Sequence, residues 1–162
     1  MLTFAPFADA DWPEVWAAIE PVFRAGETYP FPRDIDEALA REIWIQSPRF
    51  TYVARLEDGT LAGTFTIRPN QMSLGDHVAN CSYIVAEAAR GRGAATQMCL
   101  ASQKIAKEAG FLAMQFNLVV ATNEAAVKAW TKSGMRIIGT IPNAFRHARL
   151  GLVDAHIMHR EL

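Results

Sequence analysis

Between Arg90 and Thr96 the chain reads Arg-Gly-Arg-Gly-Ala-Ala-Thr, preceded by an apolar stretch ending at Val85 and followed by a helical pattern to about Ala109. The first turn of a helix carries main-chain N–H groups without partners, and the helix dipole adds partial positive charge there. Gly91, Gly93, Ala94 and Ala95 remove the side chains that would keep an anion away from those groups. Arg90 and Arg92 add charge-assisted donors. Residue types and order therefore point to a pyrophosphate seat at the start of that helix. Two other nucleotide motifs fit poorly. No G-x-x-x-x-G-K-[ST] run exists, and "GRGAAT" is an imperfect G-x-G-x-x-G with no acidic residue at the end of the next strand, where "NLVVATN" stands.

The elements that must position this turn follow from periodicity and punctuation. "LTFAPF" reads as a first strand. Asp11 is expected to cap a helix from Trp12 to Gly26, with Pro13 in its first turn. "ETYPFP" is a loop, and a second helix is expected over Ile35 to Ile45, capped by Asp34 or Asp36. Phe50–Leu56 and Leu61–Arg68 around "EDGT" predict a hairpin. Val78–Val85 is a strand. So is "FLAMQFNLVV", whose near-continuous apolar character suits a central position. Asn123 caps a short helix to Ser133. Met135–Ile141 and Val153–Glu161 are the last strands, with "NAFRHARLG" read as the loop between them. The order β-α-α-β-β-β-α-β-α-β-β implies an α+β sheet with helices on both faces.

No linker or repeat divides residues 1–162, so a single domain is expected. A net charge of −1 gives no global field toward nucleic acid or membrane, and neither partner is expected. The two cysteines, Cys81 and Cys99, match no disulfide framework or metal spacing and read as packing residues, so no metal is expected. The N-terminus has no signal-peptide pattern and no apolar run reaches the roughly 20 residues of a membrane span, which makes a cytoplasmic protein the default expectation.

"VAEAARGRGAAT" resembles the acetyl-CoA pyrophosphate loop of the GNAT superfamily of N-acetyltransferases, with Arg90, Gly93 and Ala95 at its fixed positions. "NEAAVKAWTKSGMRIIGT" resembles the second motif of that family, and the likeness extends over essentially the whole chain. It implies a mixed, mostly antiparallel sheet splayed open between the strands ending at Val85 and near Val119. Acetyl-CoA would lie in the splay, its pyrophosphate on Arg90 to Thr96 and its pantetheine paired with main chain near Ile84 and Val85. The Val85 N–H would polarise the thioester carbonyl, and Asn123 would contact the pantetheine arm. Trp130 stands where many members have a tyrosine that protonates the departing thiolate. An indole cannot act as that acid, so Trp130 would contact the sulfur or pack against the cofactor.

A closer likeness, carried by "AGETYPFP", "QFNLVVATN" and "GTIPNAF", is to the branch acetylating proline analogues such as azetidine-2-carboxylate. It implies that Asn80 and Asn117 hold the acceptor carboxylate, with Thr28 and Tyr29 as pocket walls. Glu27, His77, Glu87 and His147 are candidate bases, none fixed by a motif, and His147 reads more simply as a mobile surface residue. The expected reaction is direct attack of a small acceptor's amine on the thioester in a ternary complex. Alternatives are acetylation of protein N-termini, polyamines or antibiotics, and an acyl-CoA sensor without turnover. A homodimer is an expectation by analogy with the family.

Overall fold

The computed structural model describes residues 1–162. Seven strands form one sheet in the order β1-β2-β3-β4-β5-β7-β6. In chain order they are β1 (Thr3–Pro6), β2 (Phe50–Arg55), β3 (Leu61–Pro69), β4 (Val78–Val85), β5 (Ala113–Val120), β6 (Arg136–His147) and β7 (Gly151–Glu161). Four helices complete the chain: α1 (Trp12–Ala25), α2 (Glu37–Arg41), α3 (Ala94–Glu108) and α4 (Glu124–Lys132). All neighbouring strands are antiparallel except β4 and β5, which run parallel.

Alternation along the strands divides the core. One cluster gathers Phe65, Ile67, Cys81, Tyr83, Phe116 and Met158 beneath the α3 side chains Met98, Cys99 and Ala106. The other packs Val53, Leu61 and Ile84 against Val15, Ile19 and Phe23 of α1 and Trp44. β3 is buried from Leu61 to Ile67, as a strand covered on both faces must be. Gly63 lies beneath α3, where an added Cβ would meet the Ile84 carbonyl oxygen at 2.5 Å and the Met98 side chain at 3.0 Å. Cys81 and Cys99 are both buried free thiols, and burial pushes both thiols above their ordinary range.

The parallel ladder is short. Only Val78 with Ala113 and Ala79 with Met114 are in register; beyond them β4 and β5 diverge. β5 is also irregular against β7 between Phe116 and Val119, a bulge that re-aims the intervening Asn117. The sheet is thus splayed in its middle, as the family likeness implies.

Three local expectations are corrected. Asp11 does not cap α1: its carboxylate accepts from the Ala8 N–H (2.8 Å) and from Arg55 (2.7 Å) instead. The second helix starts at Glu37, capped by Asp36 on the Leu39 N–H (2.8 Å), and widens into a π-turn over Glu42–Gln46. The stretch through Pro142 and Asn143 is not a loop. β6 runs on to His147 with an irregularity between Ile141 and Phe145, where Asn143 takes φ +52° and donates its N–H to Asp154 (3.0 Å). An edge strand tolerates both the proline and the bulge.

Candidate functional site

After β4 the chain makes one tight turn over Glu87–Ala89, Arg90 is extended, and Gly91 and Gly93 take φ of +72° and +75°. That left-handed conformation suits glycine. It leaves the N–H groups of Gly91, Gly93, Ala94, Ala95 and Thr96 with no partner in the protein. A Cβ at Gly91 or Gly93 would meet nothing within 4 Å, so the ground before the helix is open. Arg90 to Gly93 are exposed, and neither arginine enters an ion pair. Five convergent N–H donors, the N-terminus of α3 and two free guanidinium groups fit a diphosphate.

The splay adjoins this turn. Along β4 the Val78 carbonyl accepts from Asn70 and the Ala86 N–H donates to Ala62. Even-numbered residues therefore turn their main chain to β3, and odd-numbered ones turn it to the β5 side. The Val85 N–H faces the splay. Ile84 does not: its main chain belongs to the β3 ladder and its side chain is buried toward α1. Tyr83 takes the second splay-facing position. Its N–H (3.0 Å) and carbonyl (2.8 Å) are both bonded to one hydroxyl, that of Tyr29. Burial holds the Tyr29 hydroxyl well above the ordinary tyrosine range, so it stays a donor.

Trp130 is buried against the Tyr83 ring (4.6 Å between centroids) and the Phe116 ring (5.5 Å). It thus lies beside both splayed strands. No buried side-chain nitrogen or oxygen lacks a partner, and the indole N–H, unbonded within the protein, remains reachable from outside. Asn123 accepts from the Ala126 N–H (3.3 Å) and so caps α4, with its carboxamide nitrogen free of protein contacts.

On the acceptor side the structure brings Asn80 and Asn117 together through a residue that sequence reasoning missed. The Asn70 side-chain oxygen accepts from Asn80 (3.1 Å) and from Asn117 (2.7 Å), while the Asn117 oxygen accepts from Gln115 (2.9 Å). In sequence Asn70 is the end of "RPN", which reads as turn chemistry. Thr28 is half-buried beside Tyr29 in the α1–α2 loop and makes no side-chain hydrogen bond.

That loop meets the β6–β7 turn. The Ala148 N–H donates to the Gly26 carbonyl (2.9 Å), and Arg149 pairs with Glu27 (2.7 Å). Glu27 is therefore engaged outside the splay. His147 is 6% exposed, which corrects its reading as a mobile surface residue. Its Nδ1 accepts from the Arg149 N–H (3.2 Å), so the neutral ring carries its proton on Nε2 and offers a donor there. Glu87 is exposed at the phosphate end. His77 is exposed at the closed end of the ladder, its carbonyl bonded to Leu112. None of the four side chains is hydrogen-bonded to the main chain of Tyr83 or Val85.

The family model described as "Acetyltransferase (GNAT) family" matches residues 12–135. The chain belongs to the GNAT acetyltransferase family. A GCN5-related N-acetyltransferase from Kribbella flavida is 42% identical over 99% of this chain and 98% of that one, with a TM-score of 0.93. The N-acetyltransferase aca1 of Schizosaccharomyces pombe is 32% identical over 99 residues, 60% of this chain and 47% of that protein. The match thus spans about half the length of that curated relative. A phosphinothricin acetyltransferase from Sinorhizobium meliloti, solved with acetyl-CoA, is 16% identical with a TM-score of 0.85 over 99% of this chain and 88% of that one; at this identity the likeness is one of fold. GNAT enzymes take their acetyl group from acetyl-CoA. No helix here is long and apolar enough to cross a membrane.

Proposed function

We propose that this GNAT N-acetyltransferase moves an acetyl group from acetyl-CoA to the amine of a small amino-acid-like acceptor. One observation carries the reading. Carboxamides from both splayed strands, Asn80 and Asn117, converge on a single oxygen where β4 and β5 begin to diverge, and the α1–α2 loop meets the β6–β7 turn at Gly26–Glu27 and Ala148–Arg149. Neutral amide donors converging on one oxygen suit a carboxylate, and they place no acid beside the amine that must attack. A peptide or polyamine would want an open, acidic groove.

The Arg90 and Arg92 side chains and the N–H groups of Gly91, Gly93, Ala94, Ala95 and Thr96 hold the pyrophosphate. Val85 presents its main chain to the pantetheine, and its N–H stabilises charge developing on the thioester oxygen; the Tyr83 main chain is held by Tyr29. Acetyl-CoA, when bound, supplies the activated acetyl group. The acceptor's amine attacks directly while both substrates are held, with no covalent enzyme intermediate, since both thiols, Cys81 and Cys99, are buried. The amine arrives neutral from solvent and its proton leaves to water. Trp130 packs along the splay and offers its indole N–H to the sulfur. A thiol with a pKa of about 8.5 departs as thiolate without a dedicated acid.

The test is free-thiol release from acetyl-CoA with azetidine-2-carboxylate, proline, phosphinothricin, a polyamine and short peptides. Turnover confined to small amino acids and lost in Asn117→Ala supports the reading. Turnover with the polyamine or peptides alone, or silence across the panel with acetyl-CoA bound, overturns it.

A further inference from the structure

The face of β3 and β4 that packs on α1 changes character toward the closed end of the splay. Near the phosphate end it carries Ile84 and Leu61. Toward the other end it carries Thr66 and Arg68 on β3, and Ser82 and Asn80 on β4. Arg68 stands directly opposite Asn80 in the antiparallel register, as Thr66 stands opposite Ser82. Opposed residues share a face with Cβ atoms about 5 Å apart, so Arg68 and Asn80 project side by side. Arg68 is exposed, and it is not held: no carboxylate pairs with its guanidinium and it makes no side-chain hydrogen bond. Four arginines of this chain, Arg24, Arg41, Arg55 and Arg149, are held by acids, and Arg68 is not among them. Two residues beyond Arg68, Asn70 holds the amide nitrogens of Asn80 and Asn117.

We infer that Arg68 is the specificity-determining cation of the acceptor site. It faces the carboxylate that the Asn80 and Asn117 amides bind, and Asn70 positions those amides. The inference rests on the small-amino-acid reading and adds the charge that reading lacked. Neutral amides receive a carboxylate but scarcely distinguish it from a carboxamide oxygen, whereas an unpaired guanidinium does, through its charge and its paired donors. Arg68 makes the site prefer acids, and Asn70, with one oxygen shared between two strands, fixes where the acid lies.

The experiment compares proline with prolinamide, and azetidine-2-carboxylate with its amide, as acceptors for the wild-type enzyme, Arg68→Gln, Asn70→Ala and Asn117→Ala. KM and kcat are measured separately for acceptor and for acetyl-CoA. Losing a charge-assisted contact of this kind raises KM for the acid by about tenfold or more. The expected result for Arg68→Gln is that rise with KM for the amide unchanged, kcat at saturation retained and KM for acetyl-CoA unaltered. Added salt should weaken acid binding in the wild type and have less effect in Arg68→Gln. Asn70→Ala should raise KM for the acid while leaving KM for acetyl-CoA in place, which general destabilisation would not do.

If the wild type prefers the acid and loses that preference in Asn117→Ala but keeps it in Arg68→Gln, the role of Arg68 is overturned and the amide clamp stands. A wild-type enzyme indifferent to acid and amide, or silent with both, overturns the small-amino-acid reading and this inference with it.

Discussion

At the scale of single residues, the phosphate turn separates two ways of damaging a glycine. Gly93 has a left-handed backbone and open space where a Cβ would go. Gly93→Ala should cost about 1–2 kcal/mol of stability through backbone strain alone, with acetyl-CoA still bound. Gly93→Glu adds bulk and negative charge on the ground the diphosphate needs, and should abolish binding. Chemical denaturation and titration calorimetry with acetyl-CoA check the pair. Equal affinities for the wild type and Gly93→Glu would mean that the pyrophosphate lies elsewhere.

The same scale shows what was legible in the sequence. The Arg/Gly turn and the Asn123 cap could be read because each depends on neighbours within a few positions. Asn70 could not, since its partners lie 10 and 47 residues away and only strand register unites them. Tyr29 was read as a pocket wall, but its bond to the Tyr83 main chain spans 54 residues and leaves no local trace. His147 was misplaced for a similar reason: its neighbourhood of arginines and glycine looks like a loop, and β7 makes it a strand.

Among the elements, the contact of α3 with β3 is the tightest constraint on the site. α3 starts at the phosphate turn and runs across β3 where Gly63 lets Met98 and the Ile84 carbonyl come close. Gly63→Ala must push α3 away or shift β4 next to Val85. Overpacking of this kind costs about 1–3 kcal/mol, and acetyl-CoA affinity should fall with it because both supports of the cofactor move. A thermal melt with and without acetyl-CoA reads both effects, and a variant of unchanged melting temperature would show that α3 has slack. Most element boundaries were foreseeable from periodicity and glycine stops. The exceptions, the π-turn after α2 and the long β6, are places where tertiary contacts override Pro142 and the helical pattern.

For the molecule as a whole, the proposed function makes the bridge between the α1–α2 loop and the β6–β7 turn a limit on what enters. Arg149 is 74% exposed in its pair with Glu27, so the pair contributes under about 1 kcal/mol to stability. Glu27→Gln should therefore leave the melting temperature nearly unchanged while loosening the rim. The expected outcome is measurable acetylation of larger amines, checked with a dipeptide beside proline. Retained exclusion of the dipeptide would mean that the Ala148–Gly26 main-chain bond alone sets the aperture.

The Tyr29 hydroxyl, bonded to both main-chain groups of Tyr83, has a consequence for anyone wishing to redesign this enzyme. The loop carrying Thr28 and Tyr29 is fastened to β4 two residues before Val85. With the roles proposed for that loop and for the Val85 N–H, acceptor choice and thioester activation are not separable modules. A loop transplanted from a relative to change the amine accepted must bring a hydroxyl to the same point. Without one, the graft would alter the chemical step along with the specificity it was meant to change.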